Sequence, residues 1–132
     1  MIEQTPLVVI EWIYLAPPHL EENGNEVSNF TSLDVMKKRA ATKKGIACRF
    51  TNQFRVNDKV YLNYVAEDSY VIDLEDVVDK RELVTMLSNS YSKFEAEFNK
   101  RRYTTAFINH SLDPFDVNRA NLDAILPLLQ DE

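Results

Sequence analysis

Residues 46–74 read IACRFTNQFRV, NDK, VYLNYVAEDSYVIDL, and this stretch decides the fold. In its first part Ile46, Cys48, Phe50, Phe54 and Val56 share one parity, broken only by Asn52. Arg49, Thr51, Gln53 and Arg55 share the other. Successive side chains of a strand point to opposite faces, so the pattern predicts a strand with one dry and one wet face. Asn57-Asp58-Lys59 is a turn signal, because Asn and Asp bond to nearby backbone and tolerate left-handed conformations. Beyond it Val60, Leu62, Tyr64 and Ala66 continue on one parity, and Tyr70, Ile72 and Leu74 keep it. Either one long bent strand or two strands broken at Glu67-Asp68 fit. In both cases 46–56 and 60–74 form an antiparallel hairpin.

Towards the N-terminus, Leu7 to Ala16 reads LVVIEWIYLA and stops at Pro17-Pro18. A short β-branched and aromatic run bounded by proline predicts a strand. It is apolar on both parities, so both faces call for cover, by helix or by partner. Two prolines offer no ladder donor, so the strand ends there or lies at an edge. Residues 19–34 are polar and read as a long loop tacked down by Leu20, Val27, Phe30 and Leu33, with a short strand hidden in 27–36. KKRAATKK at 37–44 carries five basic residues and reads as a solvated turn or strand rim, or as an electrostatic contact for an acidic partner.

Towards the C-terminus the period changes. Leu83, Leu87, Tyr91, Phe94 and Phe98 are spaced 4, 4, 3 and 4, a helical stripe widened by Met86. Asp76 or Asp79 suits its start and Lys100, Arg101 and Arg102 its end. A second, shorter helix is expected from near Asp116 through Leu122, Ile125 and Leu126, with Pro127 breaking or kinking its end. The class is therefore α+β: an antiparallel sheet of about four strands, a long amphipathic helix and a short closing helix, in one domain spanning 1–132.

Composition narrows the function. The 132 residues include two glycines, Gly24 and Gly45, so phosphate-cradling glycine loops are absent. One cysteine forms no internal disulfide and founds no paired-cysteine zinc site, and His19 and His110 are far apart. With 15 basic and 21 acidic residues the net charge is −6, which repels nucleic-acid backbones. No apolar run approaches the roughly 20 residues of a membrane span. An unpaired thiol suits a reducing compartment, and the expectation is a cytoplasmic protein without membrane, nucleic-acid, metal or cofactor partners.

Three clusters resemble chemistry. Glu67, Asp68, Asp73, Glu75, Asp76, Asp79 and Glu82 crowd together, as expected for a strand end before a helix N-terminus, and no calcium-loop pattern accompanies them. His110, Ser111 and Asp113 are hydrolase residue types, but neighbours this close in sequence read as a loop. Cys48 shares the parity of Phe50 and Phe54 and reads as a small core residue. The chain is therefore expected not to be an enzyme. The aromatic residues exceed what one sheet face needs, so part of this surface is expected to meet another subunit or an extended chain.

The order strand, proline-containing loop, antiparallel hairpin, long helix and short helix resembles the SecB export-chaperone family. Ile13-Tyr14 followed by Ala16-Pro17-Pro18-His19-Leu20-Glu21 is similar to the family's first strand and its acidic, proline-bearing segment. Its long strands correspond to Ile46–Val56 and Val60–Leu74, its long helix to Lys80–Arg102 and its closing helix to Asn121–Leu129. Where the family's helix carries a Phe-Pro-Tyr-x-Arg-like stretch, this chain has Ala96-Glu97-Phe98-Asn99-Lys100. The resemblance implies an ATP-independent holdase, a tetramer built as a dimer of dimers, that takes unfolded client proteins into apolar grooves between sheet and helix. It places Leu20, Phe50 and Phe54 in the client groove, Tyr91, Phe94 and Phe98 in core or subunit packing, and Glu21 in acidic docking of the translocation motor in protein transport. The second docking position falls near Tyr64, which is not acidic. The competing expectation is a non-enzymatic interaction or assembly protein, such as a phage or secretion-machine component, that binds one fixed partner.

Overall fold

The computed structural model describes residues 2–20, 24–39, 42–113, 115–116 and 122–130. In chain order these form β1 (Ile2–Gln4), β2 (Val8–Tyr14), β3 (Val27–Arg39), β4 (Lys43–Val56), β5 (Lys59–Asp73), α1 (Lys80–Arg101) and α2 (Leu122–Gln130). All strand pairs are antiparallel, and α1 follows the sheet, so the architecture is α+β. The five strands fill four positions, because β1 and β2 lie end to end along one edge of β5, with β4 and then β3 beyond.

The hairpin β4–β5 closes through Asn57 and Asp58, both in the left-handed region at φ 51° and 69°. That conformation matches the twist of the flanking strands, which is why an Asn-Asp pair stands there. β5 runs unbroken through Glu67-Asp68. Asp68 keeps the inward parity of Ala66 and Tyr70 and is fully buried, because the helix supplies it with donors.

The short strand expected within 27–36 is longer than that, and less of the region is loop. Residues 27–39 form a 13-residue edge strand. Its inward side chains are half-buried (Val27, Asn29, Thr31, Leu33, Val35), and its outward ones include Ser28, Ser32 and Asp34. The inward polar residues conceal the alternation, and Asn52 of β4 explains them. Asn29 and Asn52 exchange side-chain amide bonds of 2.7 and 3.1 Å, and Asn52 also donates to the Thr31 hydroxyl at 2.8 Å. Asn52 thus breaks the apolar row without leaving a polar group unmet. The basic stretch is the rim of the sheet, with Lys37 to Arg39 ending β3 and Lys43 and Lys44 opening β4.

Asp79 caps α1: Glu82 N–H donates to its carboxylate at 2.8 Å, and the Glu82 carboxylate accepts from Asp79 N–H at 3.4 Å. The reciprocal bonds satisfy two of the orphan donors of the first turn. The buried face of α1 carries Leu83, Met86, Leu87, Ser90, Tyr91, Phe94 and Phe98, the expected stripe. Asp116 lies outside any helix, and α2 runs from Leu122 with Pro127 inside it. The helix continues because Asp123, whose carbonyl loses its partner to proline, is exposed to water.

The core is an aromatic layer between α1 and the inner faces of β4 and β5. Tyr64 stacks on Phe94 with centroids 4.1 Å apart, and its hydroxyl donates to the Phe94 carbonyl at 2.9 Å. Phe54 lies between Phe107 at 4.6 Å and Phe98 at 5.5 Å. His110 joins this layer edge-on to Phe107 and Phe54, which makes it a packing residue. Cys48 is fully buried, and burial together with the nearby Asp68 and Glu67 carboxylates pushes its thiol up to about 12. A thiol so held is neither exposed nor ionised at neutral pH. Native protein is therefore expected to be inert to a thiol reagent and to take up one equivalent on unfolding; rapid native labelling would show that the helix leaves the sheet.

Candidate functional site

The site grows from β2. Its β-branched and aromatic residues favour a strand, and its place at the sheet edge gives it a single neighbour, β5. The register shifts between Val9 and Glu11, so Ile10 is an extra residue on the β2 side. The bulge sends Trp12 and Tyr14 inward. Trp12 packs edge-on to Tyr64 at 5.3 Å, and Tyr14 packs near Phe107 at 6.3 Å. The Tyr14 hydroxyl accepts from Ala106 N–H at 2.8 Å, tying the strand to the turn after α1. Other apolar side chains stay open: Val8 and Ile10 before the bulge, Ile13 after it and Leu15 just past the strand are 45–59% exposed. Four exposed branched aliphatics along and just past one edge strand are unusual, since edges are normally blunted by charge.

Just past the strand, Pro17, Pro18, His19 and Leu20 wrap against Ala106 around a cleft of about 260 Å³. The His19 carbonyl accepts from Asn25 Nδ2 at 2.6 Å, which shapes the bend. Tyr103 and Ile108, in the same turn as Ala106, are 67% and 39% exposed. A second depression, of about 400 Å³, opens at the joint between β1 and β2, where Thr5, Pro6 and Val8 face Glu67, Ser69 and Val71 of β5. Gly45 lines it where the β4 and β5 backbones run close, since a β-carbon there would clash with the Tyr70 carbonyl oxygen.

The expected site residues fall in three places. Leu20 is half-buried in the wall of the smaller cleft. Phe50 and Phe54 lie at 0% and 1% exposure beneath α1, in the same layer as Tyr91, Phe94 and Phe98. Phe50 meets Phe94 at 5.3 Å and Tyr91 at 5.6 Å, so these five rings fill the chain's own core. Glu21 lies outside the described residues. Tyr64 points inward and is fully buried, so it forms no part of the outer sheet surface. The outer face of β4 and β5 instead carries Arg49 paired to Glu67 at 3.3 Å, and Arg55 over the Phe30 ring at 4.9 Å. Ile13, Leu15, Tyr103 and Ile108 were not singled out from sequence; the double-parity apolar pattern of residues 7–16 is the signal that marks the first two.

Among the described residues no group of three or more His, Cys, Asp or Glu is placed to hold a metal ion. Among them, too, no helix is long and apolar enough to cross a membrane. What the surface offers is an apolar strand, an open backbone edge and two clefts, which suit an extended polypeptide.

No protein-family model matches the chain, and no curated protein matches it. Among solved structures it is similar to the Mycobacterium tuberculosis SecB-like chaperone Rv1957 in complex with a ChAD peptide from the Rv1956 HigA1 antitoxin. The two share 11% identity at a TM-score of 0.56, over 87% of this chain and 90% of that one. A Streptococcus agalactiae protein of unknown function is also similar, at 12% identity and a TM-score of 0.47, over 88% of this chain and 97% of that one. The chain thus shares the fold of a SecB-like chaperone.

Proposed function

We propose that this chain is a subunit of a SecB-like, ATP-independent chaperone that binds extended, unfolded segments of other proteins. One observation carries the reading: four branched aliphatics stand exposed along and just past β2 and lead into the Pro17–Leu20 cleft, on a fold shared with a chaperone solved with a bound peptide. Apolar contact of this kind tolerates many sequences, and the acidic balance of the chain keeps a loaded complex in solution. The subunits associate as a tetramer, and the groove between copies lies beside β2. Binding, without catalysis, is the activity.

The test is aggregation of two unrelated unfolded clients, without nucleotide, in the presence of the wild type and the Ile13→Asp/Leu15→Asp variant. Both side chains are more than half exposed, so the variant is expected to melt within a few degrees of the wild type, about the shift of a surface change. Protection of both clients is expected to fall at least about tenfold, the effect of 1.4 kcal/mol of lost binding. A variant that protects as well as the wild type removes β2 from the site. A wild type that protects neither client and binds one fixed partner establishes the assembly-protein reading instead. Light scattering on both proteins reads the mass, with four times 15.3 kDa expected for the wild type.

A further inference from the structure

Asp68 is the one fully buried carboxylate among the described residues. Two of its donors come from α1, Ser90 Oγ at 2.7 Å and Lys93 Nζ at 2.8 Å. The third comes from the far end of the chain, Gln4 Nε2 of β1 at 2.6 Å. Gln4 also donates to the Tyr70 hydroxyl at 3.0 Å, and Lys93 to the Thr5 carbonyl at 3.2 Å. β1 itself has three residues, all exposed, and three ladder partners at Tyr70, Val71 and Ile72, and just past it Thr5 N–H donates to the Ser69 carbonyl at 2.9 Å. So short a pairing is marginal by itself.

Ladder bonds accept any sequence, but the buried carboxylate does not. A strand in the place of β1 is favoured if it brings a hydrogen-bond donor where Gln4 stands, because a buried carboxylate that loses one of its three donors is weakened and a second carboxylate there repels the first. We propose that β1 is the resident, exchangeable occupant of a strand-addition site. In its place the β5 edge at Tyr70–Ile72 takes an extended partner segment carrying Gln, Asn, Lys or Arg opposite Asp68. The depression of about 400 Å³ beside Thr5 and Pro6 leaves room for the incoming chain to continue past the joint. The proposal rests on the peptide-binding reading in that the occupant is a polypeptide, but it uses a different segment of the edge from Ile13 and Leu15.

The probes are a labelled hexapeptide of residues 2–7, IEQTPL, and its Gln4→Glu counterpart, titrated into the full chain and into its Gln4→Ala variant. Gln4→Ala unpins the resident strand. Hydrogen exchange at residues 2–5 and 70–72 is expected to quicken at least about tenfold, with α1 unchanged, as local opening of a weak unit does. The variant is expected to bind the Gln peptide at least about tenfold tighter than the wild type does, and tighter than the Glu peptide by a similar factor. Bound Gln peptide restores protection at 70–72. Unchanged exchange at 70–72 in Gln4→Ala, or equal binding of the two peptides, overturns the proposal. Neither measurement contains a client: discrimination without client protection keeps this site and removes the chaperone reading, and the reverse removes the site alone.

Discussion

Phe50→Asp is expected to leave the chain unfolded at 25 °C, and Phe50→Ala to fold with a loss of about 3–5 kcal/mol, the range for emptying a buried aromatic site. Phe50 is fully buried between β4 and α1, with Tyr91, Phe94 and Phe115 around it at 5.3–5.6 Å. The alanine leaves a cavity that three rigid rings cannot collapse into, and it forfeits ring–ring contacts worth about 0.5–1.5 kcal/mol each beyond area. The aspartate adds a charge among three aromatic rings, and a loss that large takes up much of the 5–15 kcal/mol that holds a typical domain. Urea unfolding followed by circular dichroism reads both. A Phe50→Asp protein that melts like the wild type would mean that the helix does not rest on this face. Measured on the folded fraction of Phe50→Ala, client protection also separates two roles for the ring: unchanged protection makes Phe50 a core residue only.

That experiment touches the point at which reading the chain and folding it part company. The hairpin, its turn, the helical stripe and the Asp79 cap were legible because each is written in local periodicity or in the chemistry of one or two residues. β3 was legible only as a short strand within 27–36, because its inward side holds Asn29 and Thr31, whose burial makes sense only once Asn52 is known to face them from β4. The resemblance places Phe50 and Phe54 in a groove, and parity alone does not test that, because it tells which face a side chain takes and not whether α1 lies on that face. The exposed row on β2 was half legible. Two apolar parities imply a second cover, but which residues stay open depends on the bulge at Ile10, which no pattern announces. The joint between β1 and β2 was the least legible, since Gln4 and Asp68 meet across 64 positions of sequence.

Asp68 also carries the second large effect. Asp68→Ala is expected to destabilise the fold by about 3 kcal/mol, near the lower end of what breaking a buried charged pair costs. The lower end applies because the Lys93 side chain is 34% exposed and turns to water when its partner is gone. Ser90 is buried and lacks that escape, but the Tyr70 hydroxyl at 2.7 Å gives it another partner, so the uncompensated loss centres on the void. Asp68→Asn is the informative partner, because it keeps the shape and removes the charge. Lys93 reaches Oδ1, while Gln4 and Ser90 both donate to Oδ2. An asparagine that keeps its oxygen towards Lys93 turns a donor to Gln4, which meets it only by turning its own amide over and giving up its bond to the Tyr70 hydroxyl, and one that turns over sets a donor against Lys93. Either orientation costs a bond, so the substitution costs about 1–2 kcal/mol although no atom is lost. The order Ala worse than Asn worse than wild type, read from urea midpoints at equal slope, is expected if Asp68 joins helix, sheet and first strand as an acceptor from all three. An asparagine as stable as the wild type would instead reduce its role to filling space, because an amide of the same shape would then serve as well as the carboxylate.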